Sequence, residues 1–216
     1  MEKFTRITAT ACPLPAENID TDQILPARYL KLPRKGEHGK VLFQDLRFDA
    51  AGNERPDFAL NRSPWREAKI IVGGRNFGGG SSREAAVYAL HDYGIRCIIA
   101  PSYGDIFSQN ATKNGLLTAV VTEAEGRAMT EALTREPGLA VTVDLVAQSI
   151  VCGSLRYQFT IDPARRTRLL NGWDDIDLTN SFRDQIGAFK AADLRRRPWA
   201  IPQRRPLGGI EFFVPR

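Results

Sequence analysis

A glycine-rich turn between two short hydrophobic runs constrains this chain more than any other feature. Residues 68–72 and 95–100 are rich in β-branched side chains, and each run predicts a buried strand. Between them, residues 76–84 read Asn-Phe-Gly-Gly-Gly-Ser-Ser-Arg-Glu, and good helix formers follow as far as Tyr93. The unit is therefore strand, turn, helix, strand, and we call residues 76–84 the serine turn.

The helix that follows the glycines is predicted to begin at Ser81 or Ser82. The first turn of a helix has unpaired backbone N–H groups and the positive end of the helix dipole. Glycine lets the backbone approach a bound group closely. An anion is therefore the expected ligand of the serine turn. The alternative is a purely structural turn that a serine caps.

The common phosphate-binding and nucleophile motifs do not fit this turn. A P-loop needs lysine where the chain has Gly80, and the dinucleotide fingerprint and a nucleophile elbow at Ser81 both need glycine where it has Arg83. The chain has only two histidines, His38 and His91, so a Ser-His-acid triad has few possible bases. The turn alone therefore leaves the identity of the anion open.

Four segments in order resemble one family, the small subunits of 3-isopropylmalate dehydratase, and the matching C-terminal swivel domain of aconitases. The serine turn resembles the family's serine motif. Residues 18–30, which begin Asn-Ile-Asp-Thr-Asp, resemble its N-terminal motif, and residues 89–117 and 169–179 resemble later motifs. The resemblance implies an α/β fold, the swivelling β/β/α domain of the aconitase C-terminal-domain type.

The resemblance also sets the expected domain organisation. It spans residues 1–200, which we expect to form one swivel domain, and residues 201–216 form a Pro- and Arg-rich C-terminal tail. A chain of 216 residues with 43% hydrophobic residues is long enough to bury a core of this size.

The resemblance implies a reaction and a base. The family removes water from a hydroxy-dicarboxylic acid and adds it back with the hydroxyl on the neighbouring carbon, which interconverts 2-isopropylmalate and 3-isopropylmalate in leucine biosynthesis. Matching residue by residue makes Ser81 the catalytic base that takes the carbon-bound proton. Backbone N–H groups at the helix start, with Arg83 close by, would stabilise its anion. Arg83 can also clamp a substrate carboxylate with two hydrogen bonds.

Three further residues are candidates for substrate binding. Ser82 is a possible hydrogen-bond donor to the substrate, or alternatively the helix N-cap. Asp22 matches an acidic active-site position of the family, although aspartate in such a sequence often forms only an Asx turn. Arg34 is a candidate for a second carboxylate contact, or else one cation of a solvated loop.

The chain departs from the family's pattern at two places. Ala85 stands where the family usually has histidine. Residues 31–40, which we call the basic loop, do not match the expected Arg-Thr-Gly pattern and contain four cationic residues. Cations there would suit a polar or acidic substituent unless they face solvent, and His38 is expected to be exposed. Citramalate, dimethylmalate or homoaconitate are therefore alternative substrates, and a non-catalytic assembly subunit is an alternative role.

The cysteines predict that this chain binds no cofactor. Cys12, Cys97 and Cys152 are widely separated and form no C-x-x-C pattern, and Cys97 falls in a predicted core strand. In the family, iron of a 4Fe-4S cluster acts as Lewis acid on the leaving hydroxyl. We therefore expect the cluster on a large subunit, which is the predicted partner, together with a small dicarboxylate hydroxy-acid substrate.

The net charge of +5 comes largely from arginine clusters late in the chain, at 165–166, 195–197 and 204–205. No nucleic-acid recognition motif accompanies them, so a solvated or partner-facing surface is expected rather than a nucleic-acid site. No apolar run reaches about 18 residues, and the N-terminal residues lack a signal-peptide pattern. The sequence therefore predicts a cytoplasmic protein without a membrane span.

The remaining elements are predicted from periodicity and capping signals. Residues 12–64 are expected to be extended pieces and loops because proline and glycine punctuate them. His91, late in the serine helix, is expected at the surface or as a partner of the helix dipole. The other predicted helices span 103–114, 122–135, 162–171 and 178–195, and the other predicted strands span 117–121, 141–146 and 155–161.

Overall fold

The structure is a computed structural model, and it describes residues 1–34 and 36–200. The described residues form a mixed α/β fold, in agreement with the predicted class. The strands are β1 (Arg6–Leu14), β2 (Ile70–Gly73), β3 (Cys97–Ala100), β4 (Leu117–Val120), β5 (Ala140–Asp144), β6 (Ser149–Cys152) and β7 (Leu155–Gln158). The helices are α1 (Thr21–Ile24), α2 (Gln44–Arg47), α3 (Glu84–Tyr93), α4 (Asp105–Lys113), α5 (Glu123–Arg135), α6 (Pro163–Asn171), α7 (Asp175–Asn180) and α8 (Arg183–Arg196).

The strands form one sheet in the order β4-β3-β2-β1-β5-β6-β7. Strands β1 to β4 are parallel, and the pairs β1–β5, β5–β6 and β6–β7 are antiparallel. Strand β1 belongs to both halves, because residues 6–10 pair with β5 and residues 11–14 pair with β2. The long first strand therefore changes partner at its middle, and the sheet curls there.

Two hydrophobic clusters cover the two faces of the sheet. On strand β2, Ile71 belongs to the cluster beneath α3, whereas Ile70 and Val72 belong to the cluster beneath α5. This alternation follows from the two-residue period of a strand. Each fully buried Ile or Leu contributes roughly 1.5–3 kcal/mol of transfer free energy, so both clusters hold the sheet and its helices together.

The long connection between β1 and β2 contains only short helices, as predicted. Besides α1 and α2 it has single 3₁₀ turns at Ala27–Tyr29, His38–Val41, Ala59–Asn61 and Trp65–Glu67. Most of it packs over the α3 face of the sheet through side chains such as Leu42, Phe43 and Leu60. The region predicted to be extended pieces and loops thus also contributes to the core.

The helix-start signals in the second half of the chain are confirmed. Thr122 and Glu125 form the predicted capping box at the start of α5. Asp162 caps α6 with Pro163 at the first helical position, and Gly172 ends that helix in the left-handed region at φ 71°.

The helix after the serine turn begins at Glu84, so the predicted start at Ser81 or Ser82 is wrong. Arg83 is the N-cap residue, and its backbone is still extended at φ −72° and ψ 103°. The Thr21 hydroxyl donates to the Ser81 carbonyl at 3.1 Å, so this carbonyl does not enter the helical ladder.

The long C-terminal helix predicted over 178–195 is two helices. α7 ends at Asn180, and α8 begins after Phe182. The Ser181 hydroxyl donates to the Leu178 carbonyl at 2.7 Å, and local bonds of this kind compete with the helical ladder.

Strand β6 was missed from sequence. It lies between the two predicted strands and has only four residues, of which Ile150 and Cys152 are buried. So short a half-buried segment has too few residues to show a period.

The described chain divides into two compact units, Met1–Asp175 and a second that begins at Ile176. The second unit contains α8, which has no buried residue, and the 3₁₀ turn Pro198–Ala200. The predicted tail, residues 201–216, lies outside the described residues, as does its arginine pair 204–205.

One predicted basic cluster is used inside the first unit. Arg165 Nη1 donates to the Ser108 hydroxyl at 2.8 Å. Arg166 donates to the carbonyls of Leu145 at 3.1 Å and Val146 at 3.0 Å. These two arginines attach α6 to the rest of the unit, so they do not form a free basic surface. None of the helices among the described residues is long and apolar enough to cross a membrane.

Candidate active site

The serine turn follows β2 and is held between two other segments of the chain. On one side, Gly78 N–H donates to the Ile19 carbonyl at 2.7 Å, and Thr21 N–H donates to the Gly79 carbonyl at 3.0 Å. On the other side, Phe77 N–H donates to the Ser102 carbonyl at 3.0 Å. The two segments that resemble the family's motifs on either side of the turn are thus its structural supports.

The glycines of the turn are required by its geometry. Gly78 has a φ of +72°, and a Cβ atom there would lie 2.2 Å from the Phe107 ring. Gly80 has a φ of +89°, a left-handed conformation that side chains rarely adopt. Gly104 faces the turn from the opposite side, where a Cβ atom would lie 2.5 Å from the Gly78 carbonyl oxygen. The backbone segments therefore approach each other as closely as glycine permits.

The two serines lie in the exposed part of the turn. Ser81 and Ser82 are both exposed. Among the described residues, the Ser81 hydroxyl has no hydrogen-bond partner, whereas its carbonyl is fixed by Thr21. The interpretation of Ser82 as N-cap is wrong, because Arg83 is the N-cap residue and no side chain caps α3. The uncapped N-terminus of α3 thus begins three residues after a free serine hydroxyl.

Arg83 and Asp22 form an ion pair, in which Arg83 Nη1 donates to Asp22 Oδ1. The Arg83 side chain is 21% exposed and that of Asp22 is 54% exposed. The structural role of an aspartate in this segment falls to Asp20, whose Oδ1 accepts the Gln23 N–H at 2.7 Å to cap α1. Asp22 is therefore not the capping residue, and it is free to orient the guanidinium.

Arg34 contacts the same helix from the basic loop. Its guanidinium lies 3.8 Å from the centroid of the Tyr88 ring, and its Nη2 donates to Asn114 Oδ1 at 2.6 Å. Asn114 in turn donates to Glu84 Oε1 at 2.9 Å. Burial and a hydrogen bond to Glu84 raise the pKa of Tyr88, and the Arg34 charge opposes this shift. Arg34 is thus connected through Asn114 to the residue that follows Arg83, and it is not a simple solvated side chain.

The basic loop is anchored on α3. His38 is buried, so the prediction of an exposed histidine is wrong. Its Nδ1 lies 3.8 Å from Asp92 Oδ2, and its ring meets the Tyr88 ring edge-on. A Cβ atom on Gly39 would lie 2.6 Å from the Tyr93 nitrogen. Gly39 lets the backbone of the basic loop contact α3. Because of this contact, the neighbouring His38 is buried.

The remaining predicted site positions are as follows. Ala85 is half-buried and packs against the core beneath α3. Lys40 is paired with Glu37 at 2.8 Å, and Lys31 is exposed. Lys35 lies outside the described residues.

The cysteines do not fit an iron–sulfur cluster. Cys12, Cys97 and Cys152 are buried. Burial raises the pKa of the Cys12 thiol to about 12 and also raises the pKa of the other two thiols. Within the described residues, no group of three His, Cys, Asp or Glu side chains could hold a metal ion. Buried neutral thiols scattered through a core are structural side chains rather than ligands.

Sequence reasoning missed Thr21, Tyr88 and Asn114. Thr21 lies between two aspartates in a short motif. Nothing in that motif indicates that its hydroxyl contacts the serine turn. Tyr88 falls one turn after Glu84 on the helix, so its position on the loop-facing side could have been derived from the four-residue spacing. Asn114 is distant in sequence from both of its partners, and only the packing of α4 beside α3 brings it to them.

The chain is similar to known proteins over most of its length. Residues 1–124 match the aconitase C-terminal domain. The 3-isopropylmalate dehydratase small subunit of Rhodospirillum centenum is 48% identical over 202 residues, covering 93% of this chain and all of that protein. The corresponding small subunit of Paramagnetospirillum magneticum is 46% identical, covering 92% and 100%.

A solved structure also matches. The crystal structure of 3-isopropylmalate dehydratase (leuD) from Methanocaldococcus jannaschii has a TM-score of 0.61 and 26% sequence identity, and the match covers 86% of this chain and 99% of that one. The curated relatives are matched over their full length, and the domain match includes the serine turn. The chain therefore belongs to the family of 3-isopropylmalate dehydratase small subunits, whose fold is that of the aconitase C-terminal domain.

Proposed function

We propose that this chain is the small subunit of a heteromeric hydro-lyase that interconverts 2-isopropylmalate and 3-isopropylmalate by dehydration and rehydration, in leucine biosynthesis. The observation that carries the proposal is the juxtaposition at the serine turn. The exposed Ser81 hydroxyl has no hydrogen-bond partner among the described residues, and Ser81 precedes the uncapped N-terminus of α3. Arg83, whose guanidinium is oriented by Asp22, lies between them in the chain. Relatives that are 46–48% identical and matched over their full length bear the name of that dehydratase.

The first chemical requirement is a base for a weakly acidic C–H group next to a carboxylate. In our proposal Ser81 accepts that proton. A serine hydroxyl has a high pKa, so its anion needs strong stabilisation. The α3 dipole and the positive charge of Arg83 supply it without a histidine. A base positioned in this way contributes typically 10²–10⁴-fold to the rate.

The second requirement is to hold the substrate so that the reacting carbon faces the base. Arg83 suits a substrate carboxylate because its planar fork can donate two parallel hydrogen bonds. Asp22 keeps the fork in place before substrate arrives. Ser82 is exposed next to Ser81 and can donate a further hydrogen bond. Arg34 is the proposed second carboxylate contact, already held by Tyr88 and Asn114.

In this proposal, a partner subunit carries out the part of the reaction that needs the cluster. Since the cysteines of this chain do not fit a cluster, we assign the 4Fe-4S cluster to a large subunit. The small subunit then contributes the base and the carboxylate clamp, and each subunit alone is inactive.

The basic loop favours isopropylmalate over substrates with a charged substituent. Among its described cations, Arg34 is stacked on Tyr88 and Lys40 is paired with Glu37. In this proposal Arg34 already binds a carboxylate that all these substrates share. An acidic substituent would have to compete with Glu37 for Lys40, which leaves the exposed Lys31 among the described cations. Isopropylmalate therefore fits the loop better than homoaconitate does.

Reconstitution tests the proposal. The purified chain should be inactive with 2-isopropylmalate. Adding a cluster-loaded large subunit of the same family under anaerobic conditions should produce the dehydrated intermediate, which is followed by the ultraviolet absorbance of its double bond. An assembled complex that is inactive with isopropylmalate but turns over citramalate would reassign the substrate. An assembled complex inactive with every hydroxy-diacid would support the assembly role instead.

A further inference from the structure

A second, cationic pocket lies at the end of the sheet opposite the serine turn. It forms where β1 changes partner, because residues 6–10 of β1 diverge towards β5 and leave the starts of β2 and β3 uncovered on that side. The pocket has a volume of about 570 Å³. Its charged and titratable lining residues are Glu2, Lys3, Arg6, Lys69, His91 and Arg96.

The four cations of this pocket have no ion-pair partner among the described residues. This distinguishes them from surface arginines such as Arg28, Arg66 and Arg75, each of which is paired with a carboxylate. Glu2 is the one carboxylate among the lining residues of the pocket. Concave clusters of one charge sign raise the local concentration of the opposite ion. These cations would therefore attract an anion, and the anion would not have to displace an existing ion pair.

Arg96 and His91 form a fixed polar wall of the pocket. Arg96 Nη1 donates to the His91 carbonyl at 2.8 Å and to the Ile95 carbonyl at 3.0 Å. The guanidinium therefore covers the negative C-terminal end of α3, while its other nitrogens remain available to a ligand. Burial, and secondarily the Arg96 charge, lower the pKa of His91. At neutral pH the pocket thus offers a neutral imidazole beside a held guanidinium.

We propose that this pocket binds a small, multiply charged oxyanion, either a polycarboxylate or a phosphate ester. The volume is that of a metabolite site, which typically occupies 300–1,000 Å³. The arginine fork matches carboxylate and phosphate oxygens equally well, and the lysines add point charges. The ligand would sit at the C-terminal end of α3, about 15 Å along the helix from the serine turn, since ten residues rise 1.5 Å each. This site is separate from the proposed reaction.

The two histidines of the chain provide a direct test by proton NMR. His91 lines the pocket, whereas His38 is buried beneath the basic loop. The full chain is titrated with pyrophosphate, and separately with citrate, at constant ionic strength maintained with sodium chloride. A bound anion stabilises the imidazolium, so the pKa of His91 should rise at saturation while the His38 signal stays in place. Saturation by citrate alone indicates a polycarboxylate, saturation by pyrophosphate alone indicates a phosphate compound, and saturation by both supports a site for multiply charged oxyanions of either kind.

A pair of variants localises the binding. Arg6→Gln with Lys69→Gln removes two exposed cations whose side chains make no hydrogen bond to other described residues, so folding should be unaffected, and affinity should fall roughly 10-fold or more. Arg135→Gln with Lys190→Gln makes the same charge change at exposed positions elsewhere and should leave affinity unchanged. Equal affinities in the two double variants would overturn the proposal, as would a His91 pKa that neither anion moves.

Discussion

Arg83 donates to the carboxylate of Asp22, a residue 61 positions earlier in the chain, and this ion pair joins the serine turn to α1. The two residues come from two of the motifs that resemble the family. The Asp22 carboxylate therefore orients the guanidinium within the chain itself. Preorganisation of this kind lowers the entropic cost of holding a substrate in a reactive geometry.

Asp22→Asn should weaken substrate binding without unfolding the protein. The asparagine keeps the shape but loses the charge that orients Arg83, so we expect kcat/KM of the reconstituted enzyme to fall roughly 10-fold, mainly through KM. An ion pair with a half-exposed carboxylate contributes about 0–1 kcal/mol to stability, so the urea midpoint should change little. Asp45→Asn removes the partner of Arg28 at another exposed pair and should leave kinetics unchanged. Matching kinetics in the two variants would remove Asp22 from the site.

Gly78→Ala should be strongly destabilising. The new Cβ would meet the Phe107 ring at 2.2 Å and hold a left-handed backbone, which together cost roughly 2–5 kcal/mol. Gly52→Ala is the matched control, because Gly52 has a similar φ of +85° with no atom within 4 Å, and there we expect about 1–2 kcal/mol. Urea unfolding measures both. A similar loss in the two variants would mean that the turn is not tightly packed.

The sequence was sufficient to predict the strand-turn-helix unit and most helix boundaries in the second half of the chain. These features depend on local signals, such as the capping box at Thr122 and the left-handed glycine at 172. The start of α3 was predicted two or three residues early because a tertiary bond, from Thr21 to Ser81, keeps the turn extended. A bond between residues 60 positions apart leaves no trace in a local pattern.

The packing of the basic loop also could not be predicted from the local sequence. Its described cations, Lys31, Arg34 and Lys40, are exposed as predicted. However, Arg34 also stacks on Tyr88, and His38 is buried against the same helix. The glycine at position 39 permits this contact, and the sequence alone does not reveal what that glycine faces. Charged loop residues are usually solvated, and the described cations of this loop follow that tendency, whereas packing on α3 buries His38.

Arg34→Gln should raise KM for hydroxy-diacid substrates by roughly 10-fold, since it removes a proposed charge-assisted contact to a carboxylate. Lys31→Gln removes an exposed cation from the same loop and should leave KM unchanged. Initial rates of the reconstituted enzyme over a range of substrate concentrations separate the two. An unchanged KM in Arg34→Gln would restrict this arginine to anchoring the loop.

The three thiols should react slowly in the native chain. Burial raises the pKa of Cys12 to about 12, so the reactive thiolate is scarce at pH 8 and remains scarce at pH 9. A chromogenic thiol reagent should label all three cysteines rapidly only after unfolding in urea. Incubation of the native chain with iron and sulfide should leave it colourless. A stable visible absorbance with stoichiometric iron would contradict the assignment of the cluster to a partner.

The most direct test of the proposed chemistry is the turnover of Ser81→Ala in the assembled enzyme. Ser81 is exposed, so the variant should fold and associate with the large subunit normally, which size-exclusion chromatography checks. Ser154→Ala removes an equally exposed hydroxyl at a distant position and serves as control. The proposal predicts that Ser81→Ala lowers kcat for 2-isopropylmalate by roughly 10²-fold or more while Ser154→Ala keeps it. Near-full turnover by an assembled Ser81→Ala enzyme would contradict the assignment of Ser81 as the base.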